Sequence, residues 1–290
     1  MTIWNLGSIN ADHVYDLPHI PGPGETLAAT RLTTGLGGKG ANMSVACARA
    51  GARCVHIGAV GPEGAWAVER LMEYGVDTSC IYTGTDPTGH AIIAVDPQGE
   101  NNIIVFPGAN RSIPVTALQR ALARAQTGDW FLTQNETNLQ ADAMTMARAM
   151  GLHTAYAAAP FDAVAVQAVL GLTDFLILNQ VEAEQLRIAT GLSPDALPVG
   201  DVIVTLGADG ARWFDNRQRR QQHFPARPVT PVDTTGAGDT FTGYVLAGLD
   251  RGQSMAQAIG VAISAAALMV TRRGAADVIP DLAEVTAFRN

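Results

Sequence analysis

Apolar and polar positions alternate in blocks along this chain. The apolar run Thr2 to Leu6 predicts a first strand, and the polar stretch Gly7 to Asp12 predicts a turn after it. Gly40 to Ala50 has helical spacing with Gly51 placed to end it, and Cys54 to Val60 then reads as another strand. Further strands are predicted at Trp130 to Thr133, Thr154 to Ala158, Phe175 to Leu178 and Val202 to Leu206, with helices between them at Ala141 to Met150, Ala163 to Leu170 and Val181 to Thr190. Apolar strands alternating with helices of about 10 residues predict an α/β fold, a mostly parallel sheet covered on both faces. Two stretches break the rhythm. Thr26 to Thr34 and His90 to Phe106 read as antiparallel strands, the second interrupted by the turn Asp96-Pro97-Gln98-Gly99. Such inserted hairpins are either decoration or a lid that closes on a ligand. The last third reads as two helices, Ala237 to Arg251 and Met255 to Val270, whose small residues suit close packing on a sheet.

Composition narrows the function classes. The 290 residues are 47% apolar and 6% aromatic, enough for one substantial core, and the net charge of -8 argues against nucleic acid and anionic membrane as partners. Cys47, Cys54 and Cys80 have neither CxxC spacing nor a histidine cluster nearby, which predicts reduced thiols and a cytoplasmic protein. The N-terminal MTIWNLGSINAD lacks the basic start and apolar run of a signal peptide, and Ala258 to Val270 is too short to span a bilayer. Lys39 is the only lysine and sits between glycines, a place where an ammonium or a flexible stem is wanted; biased composition is the plainer explanation.

Two glycine-rich turns carry the chemistry. DTTGAGDTF, Asp233 to Phe241, puts a Gly-Ala-Gly turn just before a helix, where unpaired N–H groups and the helix dipole favour a phosphate or a developing oxyanion. Asp239 falls in the first helical turn, ionised and available as a base. The plain alternative is a helix capped by Thr234 or Thr235, with Asp239 complementing the dipole. GLGGKGAN, Gly35 to Asn42, satisfies G-x-G-x-x-G on paper, yet roughly 30 residues separate it from the first strand, which a dinucleotide fingerprint should follow directly. As a Walker A loop it has Gly40 where Ser or Thr should hold magnesium.

Together, GGKGAN at Gly37 to Asn42 and DTTGAGDTF resemble the paired signatures of the ribokinase (PfkB) carbohydrate kinase family. GSINAD at Gly7 to Asp12, NQVEAE at Asn179 to Glu184, TLGADG at Thr205 to Gly210 and TRRGA at Thr271 to Ala275 follow in the family's order, so the resemblance spans nearly the whole chain. It implies one ribokinase-like kinase domain over residues 1–290, with lid strands from about 11–35 and 88–108. It also implies sugar contacts from Asn10, Asp12, Gly38, Lys39, Asn42 and Glu136; taken singly, Asn10 and Asp12 also read as an Asx turn and Glu136 as a helix-start acid. Asp239 would be the catalytic base, with Gly236, Ala237 and Gly238 as the anion cradle. Asn179, Thr205, Gly207, Gly210, Gly238 and Ser264 would border ATP, and Glu182 would hold Mg2+ through water; Asn179 and Glu182 also fit a capping box. Asp233, Thr235 and Gly274 are candidate ligands for a monovalent cation such as K+.

The sequence departs from the family pattern at two places. Ala157-Ala158-Ala159-Pro160 stands where Asn-Pro-Ala-Pro is typical, and Val278 replaces a small polar residue near the cation loops. The implied activity is transfer of the γ-phosphoryl group of Mg-ATP to a primary sugar hydroxyl, D-ribose first. The alternatives are a nucleoside, fructose or keto-deoxy sugar acid kinase, a silent sugar sensor, or a dinucleotide oxidoreductase. No arginine lies in the matched sugar loops, which favours a neutral sugar over a sugar acid. An exposed lid edge is a liability that pairing between subunits would remove, so a homodimer through the lid strands is expected.

Overall fold

A computed structural model of the chain describes residues 1–289. The strands are β1 Thr2–Leu6, β2 Asn10–Asp16, β3 Arg31–Gly37, β4 Arg53–Val60, β5 Asp77–Thr83, β6 Gly89–Val95, β7 Asn101–Phe106, β8 Trp130–Gln134, β9 His153–Ala157, β10 Phe175–Asn179, β11 Asp201–Thr205, β12 Ala211–Asp215 and β13 Arg220–Phe224. The helices are α1 Lys39–Arg49, α2 Ala65–Glu73, α3 Val115–Leu122, α4 Gln140–Ala149, α5 Ala163–Val169, α6 Gln180–Thr190, α7 Ala237–Asp250, α8 Met255–Met269 and α9 Leu282–Arg289.

Nine strands form the central sheet in the order β13-β12-β11-β10-β9-β8-β1-β4-β5. It is parallel from β5 to β11, and the antiparallel hairpin β12–β13 closes one side. Because successive side chains leave a strand on opposite faces, neighbouring residues feed two separate cores. Ile3, Leu132 and Ile177 pack with α1, α7 and α8, whereas Trp4, Phe131 and Leu176 pack with α3, α4, α5 and α6. From β1 the sheet grows in one direction through β4 and β5 and in the other through β8, so a topological switch lies between β1 and β8, the place where open α/β sheets bind ligands.

The second sheet has four strands in the order β3-β2-β6-β7. Its outer pairs are antiparallel, as expected, but its central pair β2–β6 is parallel. Here the sequence reading needs correcting. Gly7 to Asp12 is not a turn throughout: the chain bends only at Gly7 to Ile9 and then runs as β2, which carries Asn10 and Asp12. Polar Asn and Asp looked like turn residues because they face a site rather than solvent. β3 starts at Arg31 rather than Thr26 and continues through Gly37. Gly37 pairs with Asn10 and lies against the Asp12 carboxylate, where any Cβ would collide with it. The strands β5, β12 and β13 and the helices α2, α3 and α9 were not read from the sequence: α2 and α3 are amphipathic but only 9 and 8 residues long, and β5 and β13 contain no fully buried residue.

Candidate active site

The C-terminal ends of β1, β8, β10 and β11 converge with the start of the small sheet and with the N-termini of α1 and α7. Gly7 and Gly40 touch backbone to backbone at this junction, where a Cβ on either would overlap the other's chain. That contact lets α1 begin beneath the loop after β1: the Ala41 N–H donates to the Ser8 carbonyl at 2.8 Å and the Gly40 N–H to Ser8 Oγ at 3.2 Å.

Glu136, just beyond β8, reaches into the same junction. Its Oε2 accepts from Ser8 Oγ and, at 2.9 Å, from the Lys39 N–H. Asn10 begins β2 with its Oδ1 accepting from Asn110 Nδ2 at 2.8 Å; Asn110 also pairs with both backbone groups of Ile9, at 2.9 and 3.3 Å. Asn42 Nδ2 donates to Asp239 Oδ2 at 2.9 Å, joining α1 to the first turn of α7, and Asn42 Oδ1 is buried with no protein partner among the described residues. An amide oxygen left bare at the site is placed to accept from a bound hydroxyl.

Three carboxylates, those of Asp239, Glu136 and Glu182, act on the Lys39 ammonium, and a fourth, Asp12, lies near Glu136. Burial pushes Asp12 up to about 6, with the Glu136 charge adding to it. Burial also raises Asp239, against the pull of Lys39 and the Asn42 hydrogen bond, and raises Glu136 and Glu182 against their own hydrogen bonds and Lys39. Lys39 is raised in turn, first by Asp239, then against burial by Glu136 and Glu182. The sole lysine of the chain is therefore the charge that keeps this acidic cluster tolerable.

α7 begins at Gly236, which has φ 74° and caps the helix with no side-chain hydrogen bond, so neither Thr234 nor Thr235 acts as the cap. The Ala237 N–H donates to the Thr234 carbonyl at 3.2 Å, while those of Gly236 and Gly238 have no protein partner among the described residues. Two of the three expected cradle groups are thus free to meet an anion at a helix N-terminus. Beside them is a cavity of about 350 Å³ lined by Thr205, Gly207, Gly210 and Gly238 and by Phe241 and Ile263 among other apolar groups. Ser264 does not line it. That residue is fully buried on the inner side of α8, where its hydroxyl donates to the Gly260 carbonyl at 3.1 Å; its neighbours Ile263, Ala266 and Ala267 face the cavity instead.

Asn179 and Glu182 form a reciprocal capping box at the start of α6, with bonds of 2.8 and 2.7 Å. Asp233 draws the two candidate cation loops together, accepting from the Thr235 N–H at 2.9 Å and from the Gly274 N–H at 3.1 Å. Val278 flanks Gly274 on its open side. No cluster of three or more His, Cys, Asp or Glu suited to a metal occurs among the described residues, and none of their helices is long and apolar enough to cross a membrane. Sequence reasoning missed Ser8 and Asn110. Ser8 was within reach, since it lies in the GSINAD motif. Asn110 could be recognised only once β6 and β7 had carried it back to Asn10.

A sheet switch point, two free N–H groups at a helix N-terminus and a buried carboxylate beside them suit the transfer of an anionic group to a hydroxyl. The comparisons make the family explicit: the chain belongs to the pfkB family of carbohydrate kinases, whose pattern matches residues 3–282. It is 34% identical to a ribokinase of Haemophilus influenzae, over 99% of this chain and 98% of that one. Among solved structures it superposes on Cryptococcus neoformans ribokinase in complex with ADP with a TM-score of 0.84, at 32% identity over 99% and 98% of the two chains. Arabidopsis thaliana ribokinase complexed with ribose and ATP gives 0.85, at 26% identity over 99% and 97%.

Proposed function

We propose that this enzyme transfers the γ-phosphoryl group of Mg-ATP to the primary hydroxyl of D-ribose. The observation that carries the reading is the Asn42–Asp239 pair, which stands between the carboxylates of the small sheet and the free N–H groups of Gly236 and Gly238. In this mechanism the sugar lies under β2 and β6, with its hydroxyls met by Asn10, Asp12, Glu136 and the loop Gly38 to Asn42. The adenine enters the apolar cavity beside Phe241 and Ile263, bordered by Thr205, Gly207 and Gly210. Asp239 takes the proton from the primary hydroxyl, and Asn42 holds its carboxylate in line. The glycine N–H groups then stabilise the transferring charge. Burial tunes Asp239 toward a stronger base, and Lys39 keeps it ionised.

Magnesium fits the donor set as a guest of the nucleotide. The site has carboxylates facing where phosphates would arrive but no protein cage for an ion, so Glu182 would hold Mg2+ through water, with Asn179 fixing Glu182. The ion would neutralise phosphate charge that this acidic site cannot. Asp233, Thr235 and Gly274 offer an oxygen set for K+ behind the anion cradle. We place the protein in the cytoplasm as a homodimer through its small sheet, which acts as the lid. The support for pairing is the exposed apolar surface of that sheet, and for the compartment the three unpaired thiols.

The test is ADP release from Mg-ATP across ribose, deoxyribose, fructose, keto-deoxy sugar acids and nucleosides, in potassium and in sodium. Turnover highest on ribose supports the proposal. Turnover highest on another acceptor keeps the mechanism and replaces the substrate, and no turnover on any of them overturns the reading.

A further inference from the structure

Beneath the acceptor site lies a polar circuit that the reaction itself does not use. Asn5 on β1, Ser44 on α1, His56 on β4 and Gln134 on β8 are each fully buried. Gln134 Nε2 donates to Asn5 Oδ1 at 2.7 Å, and Asn5 Nδ2 donates to both the Gly40 carbonyl and Ser44 Oγ at 2.8 Å. The Gly7 carbonyl can only accept, so His56 Nε2, 3.0 Å away, carries the proton and donates it. In the neutral ring Nδ1 is then an acceptor, and Ser44 Oγ donates to it at 2.8 Å while accepting from Asn5. Burial holds this imidazole down to about 4, so it stays neutral and keeps both roles.

The circuit's termini are informative. One end holds Gly7, the residue before Ser8; the other is Gln134, two residues before Glu136. Its middle ties down Gly40, whose N–H completes the Ser8 contact. The free Oε1 of Gln134 turns back toward Gly7, where a Cβ would lie 3.0 Å from it. Gly58 leaves room for the imidazole, since a Cβ there would stand 2.7 Å from His56 Nε2. An apolar core at these four positions would pack as readily; a polar circuit instead fixes one relative placement of three strands and a helix.

We infer that His56, acting through Ser44, Asn5 and Gln134, is a positioning residue that sets the Ser8–Glu136–Lys39 contact and thereby acceptor-sugar affinity. The inference rests on the acceptor site proposed above. A positioning residue should move the KM for the acceptor and leave the KM for ATP alone, whereas a residue that only supports the fold would move both or neither in the protein that remains folded.

The experiment measures both KM values and kcat for His56→Leu, His56→Gln, Ser44→Ala and Glu136→Gln. His56→Leu and Ser44→Ala are expected to raise the sugar KM about tenfold, the loss of roughly one well-placed hydrogen bond, with the ATP KM within about twofold. His56→Gln, whose amide nitrogen can reach the Gly7 carbonyl, should recover most of that loss. If His56→Leu does not fold, Ser44→Ala decides the matter, because it removes one atom and keeps the helix. Sugar affinity unchanged in the folded variants, or both KM values rising together, overturns the inference. If Glu136→Gln also leaves the sugar KM unchanged, the acceptor-site reading is what has failed.

Discussion

The carboxylate of Asp239 is held by one hydrogen bond from Asn42 and one nearby ammonium, and the two influences separate experimentally. Asp239→Asn keeps an oxygen for the Asn42 amide but cannot take a proton. Its kcat is expected to fall roughly 10²- to 10⁴-fold, the usual worth of a positioned base, with KM for sugar and ATP nearly unchanged. Steady-state kinetics checks this, and retained turnover would remove Asp239 from the base role. The pH dependence follows from the sign of the shift. In the proposed mechanism the base works ionised, and burial raises its pKa, so activity is expected to be lost on the acid side at a higher pH than an ordinary aspartate would give. Lys39 opposes that rise. Lys39→Met is therefore expected to move the acid limb of kcat further upward, and an unmoved or lowered limb in the pH–rate profile would mean that Lys39 does not stabilise the ionised base.

At the level of elements, α6 starts with a feature that supports two readings. The Asn179–Glu182 capping box accounts for both residues as helix-start chemistry, while the proposed function gives them work at magnesium. Glu182→Gln separates the two, because glutamine caps as well as glutamate but carries no charge. Melting temperature is expected to stay at the wild-type value while kcat falls, most steeply at low Mg2+. Asn179→Ala should cost about 1 kcal/mol of stability as well as activity. Equal kcat for Glu182→Gln and wild type across a magnesium titration would leave the capping role alone. What could be read in advance divides along similar lines. The strands β1, β8, β9, β10 and β11 and the helices α1 and α4 to α8 were legible to within a few residues, because strands buried on both faces are continuous apolar runs. β2 was not, since half its side chains face a polar site and mimic a turn. The edge hairpin Ala211–Asp215 and Arg220–Phe224 was missed because its arginines and glutamines meet solvent. In the site, the glycine motifs brought Asp239 and Gly236 to Gly238 forward as candidates, but nothing in the sequence spacing could join Asn110 to Asn10 or Gln134 to Asn5. Those contacts exist only once strands far apart in the chain lie side by side.

At the scale of the molecule, the small sheet is the part whose surface is least complete. Every residue of β7 is exposed, and its apolar side chains point both ways: Ile104 and Phe106 to one face, Ile103 and Val105 to the other. Register places Ile92 beside Ile104 on the face opposite Asp12, with Leu32 at its far edge. A sheet covered on one face alone would alternate apolar and polar residues, so this strand is built to be covered on both. In the proposed assembly the acceptor site would take one face, and a second copy of the chain would cover the other and shield the unpaired edge of β7. Because Asn10 and Asp12 sit on β2, joined to β7 through β6, loss of the partner should loosen the site as well as the assembly. Wild type is expected to sediment as a dimer and Ile104→Asp as a monomer, with a sugar KM several-fold higher and an unchanged melting profile for the central sheet. A wild-type monomer in analytical ultracentrifugation at micromolar concentration would reject the dimer. A monomeric Ile104→Asp that retains full sugar affinity would show instead that each lid closes unaided.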